Sequence, residues 1–216
     1  MRTIKILVEV PCYPNIKDDV RLHEEDRLIQ LIDKHKKGEM IIDLGCGTSY
    51  YSGSQATGID LDKVLLKKAD LQFKVSASYT HIPFKDESFD AVVMCHSLEH
   101  TNMPWIPLKE AWRILKPNGI IGVSVPNVKG LHAIWLLLSR GLTKAYGCLA
   151  PDHLTAFTPQ TLKKVLKESG FQIIDEGGDI VYFPLMKRLK LMRLGFWLAK
   201  HFPKWANVYI LVGEKT

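Results

Sequence analysis

Apolar residues in this chain fall into short runs, and stretches with helical spacing separate the runs. Residues 40–44 read M-I-I-D-L, 56–59 read A-T-G-I, 89–94 read F-D-A-V-V-M and 119–125 read G-I-I-G-V-S-V. Such runs are too short for helices and lack the strict alternation of half-exposed strands, so they predict strands buried on both faces. Residues 71–75 form a weaker run, and 171–175 and 208–212 supply two more. Helical periodicity covers 18–37 through Val20, Leu22, Leu28, Leu31 and Ile32, with Asp18 and Asp19 at the start and Gly38 at the stop. A second helix over 104–115 is ended by Lys116-Pro117-Asn118-Gly119, a strong turn signal. Thr158-Pro159 opens a third, which runs to Ser169 and stops at Gly170. Strands alternating with helices predict an α/β chain with a doubly wound sheet.

The first strand leads into the most informative segment, Asp43-Leu44-Gly45-Cys46-Gly47-Thr48, and the second ends at Asp60. Ligands of open α/β sheets bind at the carboxyl ends of the strands, where both segments fall. Gly45 and Gly47 let a ligand approach the backbone, and a carboxylate at Asp60 can accept both hydroxyls of a ribose. This layout predicts a site for an adenosine-containing ligand. A dinucleotide site would carry a third glycine where this chain has Tyr50. The stretch between Thr48 and Gln55 is short for a crossover, and its Ser52-Gly53-Ser54 is a poor helix former. A single turn or an irregular loop is expected there.

Composition narrows the class. The 216 residues, 46% hydrophobic and 24% charged, suit one globular domain spanning 1–216. Residues 1–38 read as an N-terminal helical extension, and 127–157 and 180–206 as insertions covering the substrate side. The longest apolar run, 133–138, is far too short to span a bilayer, and the N-terminus lacks a signal-peptide core. Cys12, Cys46, Cys95 and Cys148 are scattered and read as free thiols in a reducing cytoplasm. The net charge is +6, and no Asp or Glu occurs between Ile180 and Gly213. Within that stretch, 187–205 combines Lys187, Arg188, Lys190, Arg193, Lys200 and Lys204 with leucines and aromatics. It reads either as a packing helix between the last two strands or as a peripheral membrane-surface contact.

The segment D-L-G-C-G-T resembles the first motif of the class I S-adenosylmethionine-dependent methyltransferases. Ile82-Pro83-Phe84-Lys85-Asp86-Glu87-Ser88-Phe89-Asp90 is similar to the L-P-F-x-D-x-S-F-D signature of their small-molecule branch, the type 11 family that includes ubiquinone- and menaquinone-type enzymes. Ser97-Leu98-Glu99-His100, the run Glu110 to Gly119 and His153-Leu154-Thr155-Ala156-Phe157-Thr158 resemble further segments of that family, in order, across residues 38–176. The resemblance implies a Rossmann-like seven-stranded sheet, mostly parallel with an antiparallel last strand, and S-adenosyl-L-methionine as cofactor. It places Asp43, Leu44, Gly45, Cys46, Gly47, Asp60, Leu61, Ser78, Tyr79, Cys95 and His96 around that cofactor. Ser78 stands where the family usually has the acid that bonds the adenine amino group.

Methyl transfer needs a base only when the acceptor must lose a proton, and histidine is the commonest. His100 and His153 are the catalytic candidates. A metal site is not expected: His96 and His100 have i, i+4 spacing, but they follow a strand and no closed ligand set is evident. The expected acceptor is a small or lipid-linked molecule. Two alternatives are an RNA methyltransferase and a non-catalytic cofactor-binding scaffold. Nucleic acid is disfavoured because Cys95-His96-Ser97-Leu98 replaces the N-P-P-Y-type set used on exocyclic base amines.

Overall fold

The computed structural model describes residues 21–48, 56–140, 152–182, 186 and 189–216. The chain runs through α1 (Arg21–His35), β1 (Ile41–Leu44), β2 (Thr57–Asp60), α2 (Lys63–Lys68), β3 (Phe73–Ser76) and β4 (Phe89–Cys95). A 3-10 turn over Leu98–His100 leads to α3 (Trp105–Ile114) and β5 (Leu115–Pro126). Next come α4 (Leu131–Arg140), α5 (Pro159–Glu168), β6 (Phe171–Gly178) and α6 (Met192–His201). A 3-10 turn over Pro203–Trp205 precedes β7 (Val208–Lys215).

The seven strands form one sheet in the order β3-β2-β1-β4-β5-β7-β6. Strands β1 to β5 are mutually parallel, and β7 runs antiparallel to both β5 and β6. The expected doubly wound sheet with an antiparallel last strand is therefore present. Strand periodicity sends alternate side chains to opposite faces. Ile42, Leu44, Val92, Met94, Ile121 and Val123 join Leu108 and Ile114 of α3 and Leu162 and Leu166 of α5 on one face. Ile41, Ala91, Val93, Ile120, Ile210 and Val212 join Leu28, Leu31 and Ile32 of α1 and Leu66 of α2 on the other. Burial on both faces is why these runs are continuously apolar.

Local signals set the ends of the elements. Thr158 caps α5 in a capping box: its Oγ1 accepts the Thr161 amide at 3.1 Å, and Thr161 Oγ1 accepts the Thr158 amide at 2.8 Å. Asp62 caps α2 by accepting the amides of Val64 and Leu65. The turn signal 116–119 sits inside the β5 span instead of ahead of it. The β4–β5 register jumps between the Phe89–Leu115 and Ala91–Ile120 pairs, so 116–119 bulges out, with Asn118 at φ 60. Arg113 ties α3 to the loop before β4. Its guanidinium donates to the Ile82 and Phe84 carbonyls at 3.0 and 2.8 Å, to Asp86 at 2.7 Å and to Glu110 at 2.8 Å. Glu110 in turn accepts the Ile82 amide at 2.9 Å. That network explains why the P-F-x-D and E-x-x-R segments occur in one chain.

The short crossover, the extension before residue 21 and the loop over 141–151 lie outside the described residues. Among the described residues, no helix is long and apolar enough to cross a membrane.

Candidate active site

Strand order reverses between β1 and β4, so the loops leaving their carboxyl ends diverge and open a crevice. A cleft of about 260 Å³ sits there, lined by Gly45, Gly47, Thr48, Asp60, Leu65, Tyr79, Cys95, His96, Ser97 and His100. Every one of these residues follows or ends one of β1 to β4 or, for Leu65, lies in the helix after β2.

The glycine turn is folded back on β2. The amides of Gly45 and Cys46 both donate to the Ile59 carbonyl, at 2.8 and 3.0 Å, and the Gly47 amide donates to Asp60 Oδ2 at 2.7 Å. The other Asp60 oxygen accepts the Asp62 amide at 2.7 Å. Each oxygen keeps a further lone pair, so the carboxylate is oriented by the backbone and can still accept a ligand hydroxyl. Gly45 and Gly47 hold φ of 74 and 52, values that cost an L-side chain about 1–2 kcal/mol. A Cβ on Gly45 would stand 2.7 Å from Ser97 Cβ, whereas one on Gly47 would meet nothing within 4 Å and project into open space. Ser97 Oγ is buried without a hydrogen-bond partner. Bare backbone, an oriented carboxylate and an unsatisfied hydroxyl together fit a ligand that carries a ribose and polar groups.

The expected residues divide. Gly45, Gly47, Asp60, Tyr79, Cys95, His96 and His100 line the cleft. Asp43, Leu44 and Cys46 are completely buried beneath it. Burial, with Asp43 and Asp60 nearby, pushes the Cys46 thiol well up, which leaves it neutral and unreactive. Burial and the charges of Glu99 and Asp60 raise the Tyr79 phenol as well. Two of the expected residues lie outside the lining of this cleft. Leu61 is 67% exposed and off the cleft wall, because the chain turns at Asp62 into α2. Ser78 also lies off the wall; its Oγ is 2.7 Å from Thr80 Oγ1 and accepts the Thr80 amide at 3.1 Å, a local turn that uses the hydroxyl.

His153 comes to the same end of the cleft through backbone ties: the amides of Leu154 and Thr155 donate to the Glu99 carbonyl at 2.8 and 3.0 Å. The rings of His100 and His153 then pack edge-on with centroids 5.0 Å apart. Close to them lies Glu99, a residue the sequence did not single out, only 1% exposed. One donor atom from each of Glu99, His100 and His153 lies within 4.8 Å of the others. These three side chains come together from two loops, a grouping that local spacing in the sequence cannot reveal.

Known proteins resemble this chain in sequence. A family model described as a methyltransferase domain, type 11, matches residues 42–123. The ubiquinone biosynthesis O-methyltransferase of Psychrobacter arcticus is 29% identical, over 76% of this chain and 68% of that protein. Its counterpart in Pseudomonas savastanoi pv. phaseolicola is also 29% identical, over 71% of this chain and 73% of that one.

Residues 42–123 match a methyltransferase domain, and over most of its length the chain is similar to S-adenosylmethionine-dependent methyltransferases.

Solved structures show that this methyltransferase has the family's fold. A methyltransferase from Thermotoga maritima, described as a possible histamine N-methyltransferase, superposes with a TM-score of 0.68 at 17% identity, covering 91% of this chain and 92% of that one. One from Archaeoglobus fulgidus gives 0.61 at 18% identity, covering 90% and 94%. Fold alone does not name the acceptor, which has to be argued from the cleft.

Proposed function

We propose that this methyltransferase transfers a methyl group to a hydroxyl of a small or lipid-linked molecule, and that the residues lining its cleft hold the cofactor. The observation that carries this reading is Asp60, fixed by the Gly47 and Asp62 amides at the edge of an open cleft at the switch point of the sheet.

When bound, S-adenosylmethionine supplies an electrophilic methyl on a sulfonium sulfur. Asp60 accepts the ribose hydroxyls, and Leu65 and Tyr79 wall the adenine side. The bare backbone of Gly45 and Gly47 admits the ligand's closest approach, with the buried Asp43 supplying negative charge for its cationic end. Cys95 and His96 flank the opposite end with their backbone. His96 holds a left-handed conformation there, φ 48, uncommon for a residue other than glycine. His100 and His153 stand at that end and serve to ionise the acceptor hydroxyl. Oxygen as acceptor atom follows from those histidines and agrees with relatives that are O-methyltransferases.

The exposed side of α6 and the turn after it suits an acceptor with a lipid tail. Gly195 and Ala199 of α6 are buried, so the helix packs as one reading expected. Leu194, Trp197, Phe202 and Trp205 are nonetheless 44%, 53%, 43% and 44% exposed among Arg193, Lys200 and Lys204. Peripheral contact with a membrane surface is part of the proposal; Lys187 and Arg188 lie outside the described residues.

Calorimetric titration with S-adenosylhomocysteine tests the cofactor site, and a radiolabelled methyl-transfer screen over catechols, simple phenols and prenylated phenols tests the acceptor. Transfer to the oxygen of a phenolic substrate is expected. Cofactor binding with methyl transfer only to amines would overturn the oxygen assignment.

A further inference from the structure

Ser97 lines the cleft, yet the fold gives its side chain no use. The residue is 3% exposed, and its Oγ is buried with no hydrogen-bond partner among the described residues. The other buried serine at this end of the sheet, Ser124, donates its hydroxyl to Cys95 Sγ at 3.2 Å. An unsatisfied buried hydroxyl lowers stability, and an alanine of nearly the same shape would not. A hydroxyl kept at such a cost on a cleft wall points to a ligand.

Gly45 fixes which part of the ligand Ser97 meets. A Cβ on Gly45 would lie 2.7 Å from Ser97 Cβ, 3.5 Å from Ser97 Oγ and 3.7 Å from Tyr79 Cδ1. Ser97 and Tyr79 thus converge on one point beside the bare backbone of Gly45. In the proposed function Tyr79 walls the adenine side, and Cys95 and His96 flank the opposite end. The point between them falls where the sulfur of S-adenosylmethionine joins its two halves. Charge there suits a cation. The lining residues include Asp60 and no lysine or arginine, although the chain carries a net charge of +6. Besides burial, the charges of Asp43 and Asp60 raise the Cys46 thiol, and those of Glu99 and Asp60 raise the Tyr79 phenol. Three carboxylates therefore act on the groups around this point.

We infer that Ser97 is a specificity residue for the cofactor's charge: its hydroxyl oxygen faces the cationic sulfonium, so the cleft holds the methylated donor more tightly than the neutral thioether left after transfer. The inference rests on the reading that the cleft holds S-adenosylmethionine. A hydroxyl offers two lone pairs and reorients by rotation about one bond. With no base bonded to it, it is also a poor nucleophile, whereas a carboxylate in its place would face an electrophilic methyl. The contact weakens as the sulfur loses its charge, which favours release of the product.

The test is calorimetry on the full chain and on Ser97→Ala with S-adenosylmethionine, S-adenosylhomocysteine and sinefungin, in which an amine-bearing carbon replaces the methylated sulfur. Ser97→Ala is expected to weaken both ligands cationic at that position by about fivefold or more and to leave S-adenosylhomocysteine within about twofold. Its urea midpoint without ligand should stay or rise, because an unsatisfied hydroxyl is gone; a purely structural serine would lower it. Retained S-adenosylhomocysteine binding shows that the variant is folded. Equal weakening of S-adenosylmethionine and S-adenosylhomocysteine would put the hydroxyl against the amino-acid end they share and overturn the inference. Unchanged affinity for both would overturn it too and leave the cofactor site standing. If the parent chain binds none of the three, the cofactor reading falls and the role of Ser97 falls with it.

Discussion

Asp60 Oδ2 accepts the Gly47 amide at 2.7 Å, so the acid at the end of β2 and the second glycine after β1 form one unit. The bond aims the carboxylate and fixes the turn at the same time. Asp60→Ala removes both and also strips the Asp62 amide of its acceptor. Affinity for S-adenosylhomocysteine is expected to fall by about tenfold to a hundredfold, the scale of a lost hydrogen bond to a charged group. The loss of stability should be smaller, about 1 kcal/mol, since Asp60 is partly exposed. Calorimetry paired with urea unfolding separates the two effects. Unchanged affinity in a folded variant would remove Asp60 from the site.

The two glycines make different demands. Gly45→Ala pushes a methyl to 2.7 Å from Ser97 Cβ at φ 74. It should cost about 1–2 kcal/mol for the backbone and a similar amount for overpacking. Ser97→Gly removes the opposing atom, so the double variant should recover part of the loss. Gly47→Ala carries only the backbone strain, but its methyl enters the cleft and should weaken S-adenosylhomocysteine binding. Urea midpoints with and without ligand check this. Equal destabilisation by Gly45→Ala and Gly47→Ala would contradict the contact with Ser97.

The sheet was legible because its evidence is local. Continuous apolar runs such as A-V-V-M at 91–94, the Thr158-Pro159 start and the D-L-G-C-G-T turn each depend on neighbours within a few residues. What was not legible depended on distant or competing partners. Leu61, expected at the cofactor from its place after Asp60, stands 67% exposed beside the Asp62 cap. Ser78, expected to bond the ligand, also bonds Thr80 in a local turn that its sequence position did not announce. The i, i+4 spacing of His96 and His100 gave no closed set because both follow a strand, while Glu99 and His153 come together because the Leu154 and Thr155 amides reach the Glu99 carbonyl. No periodicity in the sequence encodes that contact.

Glu110 gives the stability of the fold an acid dependence. Hydrogen bonds from Arg113, above all, hold its carboxyl below the usual carboxylate range, and its partial burial opposes them less strongly. A carboxyl with a depressed folded-state pKa adds stability that is present above its unfolded value of about 4.3 and is lost as the pH falls through the folded value. Glu110→Gln should therefore reduce stability at pH about 7 by about 1–2 kcal/mol and flatten the decline below pH about 4. Urea midpoints across that range measure it. An acid limb as steep as that of the parent chain would assign the dependence to other carboxyls such as Asp90, also lowered by its bonds to Lys116 and Met40 against the opposing effect of burial.

The membrane contact can be tested without an acceptor. Exposed indole rings bind at the lipid interface, and each nearby lysine or arginine adds about 1 kcal/mol toward an anionic surface. Trp197 sits on the exposed side of α6, and Trp205, stacked on Phe202 with ring centroids 4.7 Å apart, sits in the turn that follows. Arg193, Lys200 and Lys204 are exposed beside them. Co-sedimentation with vesicles containing phosphatidylglycerol should exceed that with neutral phosphatidylcholine and weaken as salt is raised. Trp197→Ser with Trp205→Ser should lower partitioning by about tenfold, whereas Lys200→Gln with Lys204→Gln should abolish mainly the preference for anionic lipid. Because both double substitutions lie on the exposed surface, cofactor affinity should not move, and the two readouts together separate a lipid contact from a change in fold. Binding that ignores the tryptophans and still follows the lysines would describe a purely electrostatic surface, and the apolar side chains of α6 would then belong to a protein partner.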